Sequence, residues 1–417
     1  MVSSNAIDGM IEKAVFDKDG QVRAGQRQQI RDTAAAQGIY PASIQGLYEA
    51  AGQGHYANKT VPAINIRGLT YLTARAIFRM ALKYKVGAFI LEIARSEIGY
   101  TEQAPDEYTV SLLAAAIKEG YKGPVFIQGD HFQLNRGKYT TDPKSEYASI
   151  EKITREAVEA DFLNIDIDAS TLVDLGRPTV DQQQENNYAV TTDLTKLIRG
   201  IEPENTTISV GGEIGEVGKT NTTPEELRAF MKGYKAQLGE GTTGISKMSV
   251  QTGTTHGGVV MADGSIADVK LDFEAIKELS KVAKQEFGVG GIVQHGASTL
   301  PDEMFEMFPE TDTLEIHLAT GFQNIIYDSP SFPKDLLDKI YRHLAENHAD
   351  EKSAGDTDEQ FYYKTRKRGW GPFKQETWQL PEDSQQAISS ALESQFTLLF
   401  QRLNVENTVE LVNKYTK

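Results

Sequence analysis

The chain has 417 residues, 39% of them hydrophobic and 24% charged, enough apolar material for a large core or for two or three domains of about 150 residues. Its 43 basic against 59 acidic side chains give a formal charge of -16, which argues against a general binder of nucleic acid or of anionic membranes. Cysteine is absent, which excludes disulfides, Cys-ligated zinc, iron–sulfur clusters and thiol nucleophiles; with seven histidines, any metal site must draw on those few and on carboxylates.

The N-terminal stretch Met1–Lys18 is polar and lacks the apolar core of a signal peptide. No apolar run reaches the ~18 residues of a membrane span. The expected location is the cytoplasm, with no membrane partner, and the Asn-x-Thr triplets at Asn58, Asn205 and Asn221 read as chance sequons. Residues 1–60 are polar and mixed, with an Ala-rich stretch at Thr33–Gln37, and read as a helical extension.

From residue 61 the pattern changes. Short apolar, β-branched runs recur at Val61–Ile66, Ala88–Ile93, Val125–Gln128, Phe162–Ile167, Thr207–Val210, Ile245–Val250, Ile292–Gln294 and Thr313–Leu318. Their near-continuous apolar character suits buried parallel strands. Helical periodicity fills most gaps, as with Leu72, Ala76 and Met80 on one face. Thr223-Pro224-Glu225-Glu226 is a helix start, with Thr223 as cap and Glu226 closing a capping box. Eight strands and their connectors over residues 61–330 predict a (β/α)8 TIM barrel with helical N- and C-terminal extensions. An open doubly wound sheet is the alternative, but no GxGxxG follows a strand. Beyond the barrel, residues 331–417 form a C-terminal extension, partly helical. Within it Ala349–Glu359 reads as a mobile linker, and Lys364–Trp370 combines Lys364, Arg366, Lys367 and Arg368 with aromatics. That cluster reads either as a solvated or intersubunit segment or as a site for a second phosphate, with Arg67 and Arg95 as other candidates.

Barrel chemistry gathers at the C-terminal ends of strands. His131 follows Val125–Asp130, His256 follows the strand ending at Val250, His295 ends Ile292–Gln294, and His317 lies within the eighth strand. Glu213 follows Ile208–Gly212. Taken singly, a histidine at a strand end is a hydrogen-bonded structural residue. Taken together, three on separate strands can converge on one divalent ion that keeps an open position for substrate. Asp130 beside His131 reads as a general base or as a partner orienting a ligand histidine. Gly296–Asp302 is small and polar and is expected to open a helix, whose backbone N–H groups would suit a phosphate; a plain cap at Thr299 is the other reading.

These motifs, over roughly residues 45–325, resemble the class II, metal-dependent ketose-bisphosphate aldolases, the fructose- and tagatose-bisphosphate aldolases. Val61–Ile66 resembles the family's opening strand, Gly129-Asp130-His131 its Asp-His pair, and Gly212-Glu213-Ile214-Gly215 its Glu-Leu-Gly. Gly253–Gly257 and His295-Gly296-Ala297-Ser298 resemble its two further zinc-histidine motifs. The resemblance implies Asp130 as acid/base on the C4 hydroxyl and His131, His256 and His295 as ligands of Zn2+ or another divalent transition metal. It also implies Glu213 as a ligand in an alternative position and a monovalent cation as an optional companion. It sets Asn65, Gly257, Gly296, Ala297, Ser298, His317 and Thr320 against the substrate, with Gly257, Ala297 and Ser298 holding its phosphate. The chain departs from the family at Glu315–Thr320, where the substrate-binding Asn and Asp are His317 and Ala319, and at Asn221, near the place of a second catalytic Glu.

The implied activity is that of a metal-dependent lyase, cleaving a fructose-1,6-bisphosphate-like ketose between C3 and C4 through a metal-stabilised enediolate, as in glycolysis and related carbohydrate metabolism. The implied partners are a small sugar phosphate and further copies of the chain, as a dimer or tetramer. The chain length, Asp130-His131 and Ile167–Ser170 also resemble the longer, non-catalytic accessory subunit of tagatose-bisphosphate aldolase. That subunit and a metal-dependent sugar-phosphate epimerase are the alternatives. An amidohydrolase-type metallohydrolase is disfavoured, since no His-x-His occurs.

Overall fold

The structure, a computed structural model, describes residues 4–215, 220–253, 261 and 271–416. Nine strands form one parallel sheet: β1 (Ile39–Pro41), β2 (Val61–Asn65), β3 (Ile90–Ala94), β4 (Gly123–Gln133), β5 (Asn164–Asp168), β6 (Ser209–Gly215), β7 (Lys247–Val250), β8 (Ile292–Gln294) and β9 (Glu315–Leu318). β2 pairs with both β3 and β9, and pairing runs unbroken through β4–β5 to β8–β9, so β2–β9 close into an eight-stranded barrel. All eight barrel strands coincide with apolar runs of the sequence. Parallel strands of this length need crossover connections, and most of those here are helices such as Thr70–Tyr84 and Pro105–Glu119. The helix Pro224–Leu238 begins as its sequence indicates: Thr223 accepts from the Glu226 amide while Glu226 reaches back to the Thr223 backbone.

Inside the barrel every second side chain of a strand points to the axis. At the N-terminal end these are apolar. Val61, Ala63, Ile90, Phe126 and Leu314 pack against Ile44, Leu47, Tyr48 and Ala51 of the helix Gln45–Gly52 and its approach, which floors the barrel. β1, which has no counterpart among the sequence expectations, pairs with the first three residues of β4 and leads into this floor. At three residues with one apolar core position it carries no periodic signal.

Both extensions pack on the barrel's helices. The helix Glu382–Arg402 buries Ile388, Leu392, Phe396 and Phe400. Arg79 ties it to Thr70–Tyr84 through Ser389 and Glu393. Ala349–Glu359, expected to be a mobile linker, is a short 3-10 turn followed by the cap of helix Asp358–Thr365. Thr357 and Gln360 form that cap, and Lys352–Asp358 and Lys364–Asp356 ion pairs hold the turn. The charges that suggested solvated chain are largely spent on one another. Among the described residues no helix is long and apolar enough to cross a membrane.

Candidate metal centre at the barrel mouth

β4 carries Asp130 and His131. Its register against β5 slips between Gly129 and Phe132, and His131 takes a φ of +41°, in the left-handed region that costs a non-glycine residue about 1 kcal/mol or more. The Phe132 ring lies against Gly129, where a Cβ would stand only 2.5 Å from Cζ. This bulge breaks the strand's alternation. Asp130 and His131, neighbours that would otherwise face opposite sides, both line the cavity at the mouth.

His131 Nδ1 stands 3.1 Å from Glu213 Oε2 of β6 and 3.2 Å from Asp168 Oδ2 of β5. The rings of His131, His295 and His317 form a row, with centroids 4.2 and 4.1 Å apart. One donor atom each of His131, Glu213 and His295 lies within 4.8 Å of the others, and the same holds for Asp130, His295 and His317. His295 is steadied at Nε2 by Ser249 Oγ at 3.1 Å, and Asp168 is held by Gln133 and by Ser170 Oγ at 2.6 Å. Of the residues read from the sequence as chemical, His131, Glu213 and His295 therefore form one group, and Asp130, His295 and His317 form an adjoining one that shares His295. His256 and Gly257 lie outside the described residues.

Below this layer sits a second one, all charged or polar and fully buried. Lys247 of β7 reaches Glu315 Oε1 at 2.5 Å, Gln128 Oε1 at 2.7 Å and Asp166 Oδ2 at 2.9 Å. Glu315 also takes the Tyr48 hydroxyl and His317 Nε2, the latter at 2.6 Å. His317 Nδ1 then meets Asp130 Oδ1 at 3.1 Å and Glu92 Oε1 at 3.2 Å. Glu92 is completely buried. Burial, with Asp130 and other carboxylates adding repulsion, pushes the Glu92 carboxyl up to about 7. Burial and Asp168 push Glu213 up to about 7 as well. Burial alone would lower His131 and His317, but the acids around them outweigh it and hold both well above the usual imidazole range. The mouth thus crowds Asp130, Asp168, Glu213 and Glu92 around the rings of His131 and His317.

A cavity of about 570 Å³ opens over this centre. Asn65 lines it from the end of β2, donating to Glu97 Oε2 at 2.6 Å. Gly296 and Ser298 line it after β8, and Ser298 Oγ accepts from the Ala319 amide at 2.6 Å. Ala297 is fully buried and does not line it. The helix expected to open at Gly296–Asp302 does not form: Ala297–Thr299 and Asp302–Glu306 are 3-10 turns, separated by Leu300 and Pro301 in extended conformation. Thr320 lines the cavity and accepts from Arg67 Nη1 at 3.3 Å. Arg67 is paired through Nε with Glu97 at 2.7 Å, and Arg95 with Glu146 at 2.7 Å. Of the basic segment, only Lys367 reaches the cavity wall.

A family model for class II fructose-bisphosphate aldolases matches residues 42–367, well over half of the chain. The chain belongs to that family. Membership places it among the carbon–carbon lyases, whose class II members are generally metal-dependent, and gives it an aldolase-like function. No curated protein matches the sequence. Among solved structures, the fructose-bisphosphate aldolase of Campylobacter jejuni is 16% identical with a TM-score of 0.51, over 89% of this chain and 96% of its own. An aldolase of Escherichia coli K12 is 15% identical with a TM-score of 0.51, over 89% and 100%. The fructuronate-tagaturonate epimerase of Cohnella laeviribosi is 11% identical with a TM-score of 0.59, over 84% and 82%. At these identities the likeness is one of fold. Within this aldolase-family chain, sequence reasoning passed over Glu92, Glu97, Asp166, Lys247 and Glu315. Four of them carried a usable signal: Glu92, Asp166, Lys247 and Glu315 are ionisable residues inside strands whose burial is complete, which happens only when they are paired or functional.

Proposed function

We propose that this chain cleaves a phosphorylated ketose of the fructose 1,6-bisphosphate type reversibly between C3 and C4. Zinc or another divalent transition ion would be held by His131, His295 and Glu213, with His256 added on the strength of the resemblance. The observation that supports this best is the convergence of those three donors beside Asp130 at the mouth of a barrel of this family. Imidazoles with a carboxylate are a donor set that zinc takes in open catalytic sites, and Asp168 and Ser249 orient the two rings from behind. When bound, such an ion polarises the ketose carbonyl as a Lewis acid.

Asp130 takes the proton of the C4 hydroxyl. The C3–C4 bond breaks with its electron pair staying on C3 of the C1–C3 fragment, which takes up a proton from solvent to leave as the ketone, while the C4 oxygen becomes the carbonyl of the aldehyde. In the reverse direction Asp130 returns the proton to the new C4 hydroxyl. His317, hydrogen-bonded to Asp130 Oδ1, holds that carboxylate in place, and Glu315 and Glu92 hold His317.

The test is His295→Ala. Elemental analysis is expected to show loss of bound metal, and cleavage of fructose 1,6-bisphosphate to fall by about 100-fold or more. Full turnover by metal-free protein would overturn the reading, and an epimeric ketose in place of triose fragments would reassign the reaction to an epimerase.

A further inference from the structure

We propose that Tyr48, on the helix that floors the barrel, is a positioning residue for Asp130 at the mouth, acting through Glu315 and His317. This rests on the reading of Asp130 as the group that takes the C4 proton.

The line from floor to mouth is continuous. The Tyr48 hydroxyl donates to Glu315 Oε2, and no other hydrogen bond among the described residues reaches that oxygen. Glu315 Oε1 is shared by Lys247 Nζ at 2.5 Å, His317 Nε2 at 2.6 Å and Gln128 Nε2 at 3.3 Å. His317 Nδ1 then meets Asp130 Oδ1 at 3.1 Å. Tyr48, Glu315 and His317 are all buried, so solvent does not replace a lost donor. Without the Tyr48 hydroxyl, Oε2 is a buried carboxylate oxygen with no partner. The carboxylate gains one only by turning and taking a donor from Oε1. The imidazole that rests on Oε1 moves with it, and so does the carboxylate of Asp130 at its other nitrogen.

The fold fixes the height of that hydroxyl. Ile44, just before the floor helix, donates its backbone N–H to Asn164 Oδ1 of β5 at 2.9 Å. Gly290, ahead of β8, lies against the Tyr48 backbone, where a Cβ would stand 2.6 Å from the Tyr48 carbonyl oxygen. Gly46 lies closer still to the carbonyl of Tyr415, so the C-terminal segment holds the helix from outside. Lys247 Nζ stands 6.0 Å from the centroid of the Tyr48 ring. Burial, with Glu315 beside it, holds the Tyr48 hydroxyl well above the usual tyrosine range, so it stays a donor. Tyr56 gives the contrast. It is buried in the same floor cluster, but its hydroxyl has no hydrogen-bond partner among the described residues.

The test compares Tyr48→Phe with Tyr56→Phe in the full chain, loaded with zinc and assayed on fructose 1,6-bisphosphate. Tyr48→Phe is expected to lower kcat by about 10- to 100-fold with KM and bound zinc unchanged, and Tyr56→Phe to leave all three unchanged. In a His317→Asn background, where the line is already broken, Tyr48→Phe is expected to lower kcat no further. Should Tyr48→Phe fail to fold, Tyr48→Met takes its place. A native kcat in Tyr48→Phe, an equal loss in Tyr56→Phe, or full additivity with His317→Asn overturns the proposal. A second readout needs no turnover. The imidazole nitrogen resonances of His317, assigned by their disappearance in His317→Asn, are expected to shift in Tyr48→Phe and to stay in place in Tyr56→Phe. If the native chain cleaves no ketose, the aldolase reading falls, and these resonances still decide whether Tyr48 sets His317; unshifted ones overturn the proposal.

Discussion

His317 is bound at both ring nitrogens to carboxylates, Asp130 on one side and Glu315 on the other. An imidazole so placed donates twice and is held as a cation. Glu315 is the hub of this arrangement, since it also takes Lys247 and the Tyr48 hydroxyl. Burial alone would raise its pKa, but Lys247 and His317 outweigh that and bring it down to about 2. Removing one member of such a buried network leaves its partners as uncompensated charges, at a cost of roughly 3 kcal/mol or more. Glu315→Gln is therefore expected to lower stability by about that amount at pH 7, as read by urea denaturation. The sign with pH follows from the depressed value: the contribution is present above the ordinary glutamate range near 4.5 and is lost as pH falls through about 2. The gap between native and variant chains should close over that window. A gap that stays constant would mean that packing, not charge, is what the substitution removed.

At the scale of elements, the decisive feature is the bulge in β4. Apolar runs marked all eight barrel strands, but the sequence reading ended the third at Gln128 and the fifth at Val210, where glycines begin. In the structure both continue, to Gln133 and Gly215. The glycines are there for space: Phe132 occupies the place of a side chain on Gly129, and Asp166 Oδ1 stands 2.2 Å from where a Cβ on Gly211 would be. A glycine in a strand weakens its sequence signal while permitting the close approach that the site requires. Gly129→Ala is expected to overpack against Phe132 and cost about 1–3 kcal/mol by denaturant unfolding. It should also weaken metal uptake measured by competition with a chromophoric chelator, because His131 is set by the same bulge. Unchanged metal affinity would show that His131 is dispensable to the centre.

For the whole molecule, the extensions are part of the core. Phe400 packs near Phe89 with ring centroids 6.1 Å apart, and Phe396 near Phe322 at 5.2 Å. Five large apolar side chains of helix Glu382–Arg402 are buried: Ile388, Leu392, Phe396, Leu399 and Phe400. At about 1.5–3 kcal/mol each, their burial is worth roughly 10 kcal/mol gross, comparable with the whole net stability of an ordinary domain. Deleting residues 382–417 is expected to abolish the cooperative thermal transition followed by circular dichroism. A truncated chain that melts as sharply as the full one would make this helix an appendage. The C-terminal segment also carries Lys367 to the mouth, so the same packing that stabilises the barrel completes the cavity wall.

The sequence by itself determined the barrel, through eight apolar runs at crossover spacing, and it singled out Asp130, His131, Glu213 and His295, through their positions at strand ends, as candidates that the fold then gathers at the mouth. Both signals are local: a buried strand and a residue just after it can be read from a few neighbours. Only the tertiary structure decided which charges are paired and which are not. The layer of Glu92, Asp166, Lys247 and Glu315 is assembled across the barrel axis from strands up to about 220 residues apart. The fate of the basic segment was equally hidden, since Asp328, Glu351 and Asp356 neutralise three of its cations only after the chain folds back. Charge pairing in a folded chain depends on distances in space, and a single sequence records only distances along the backbone.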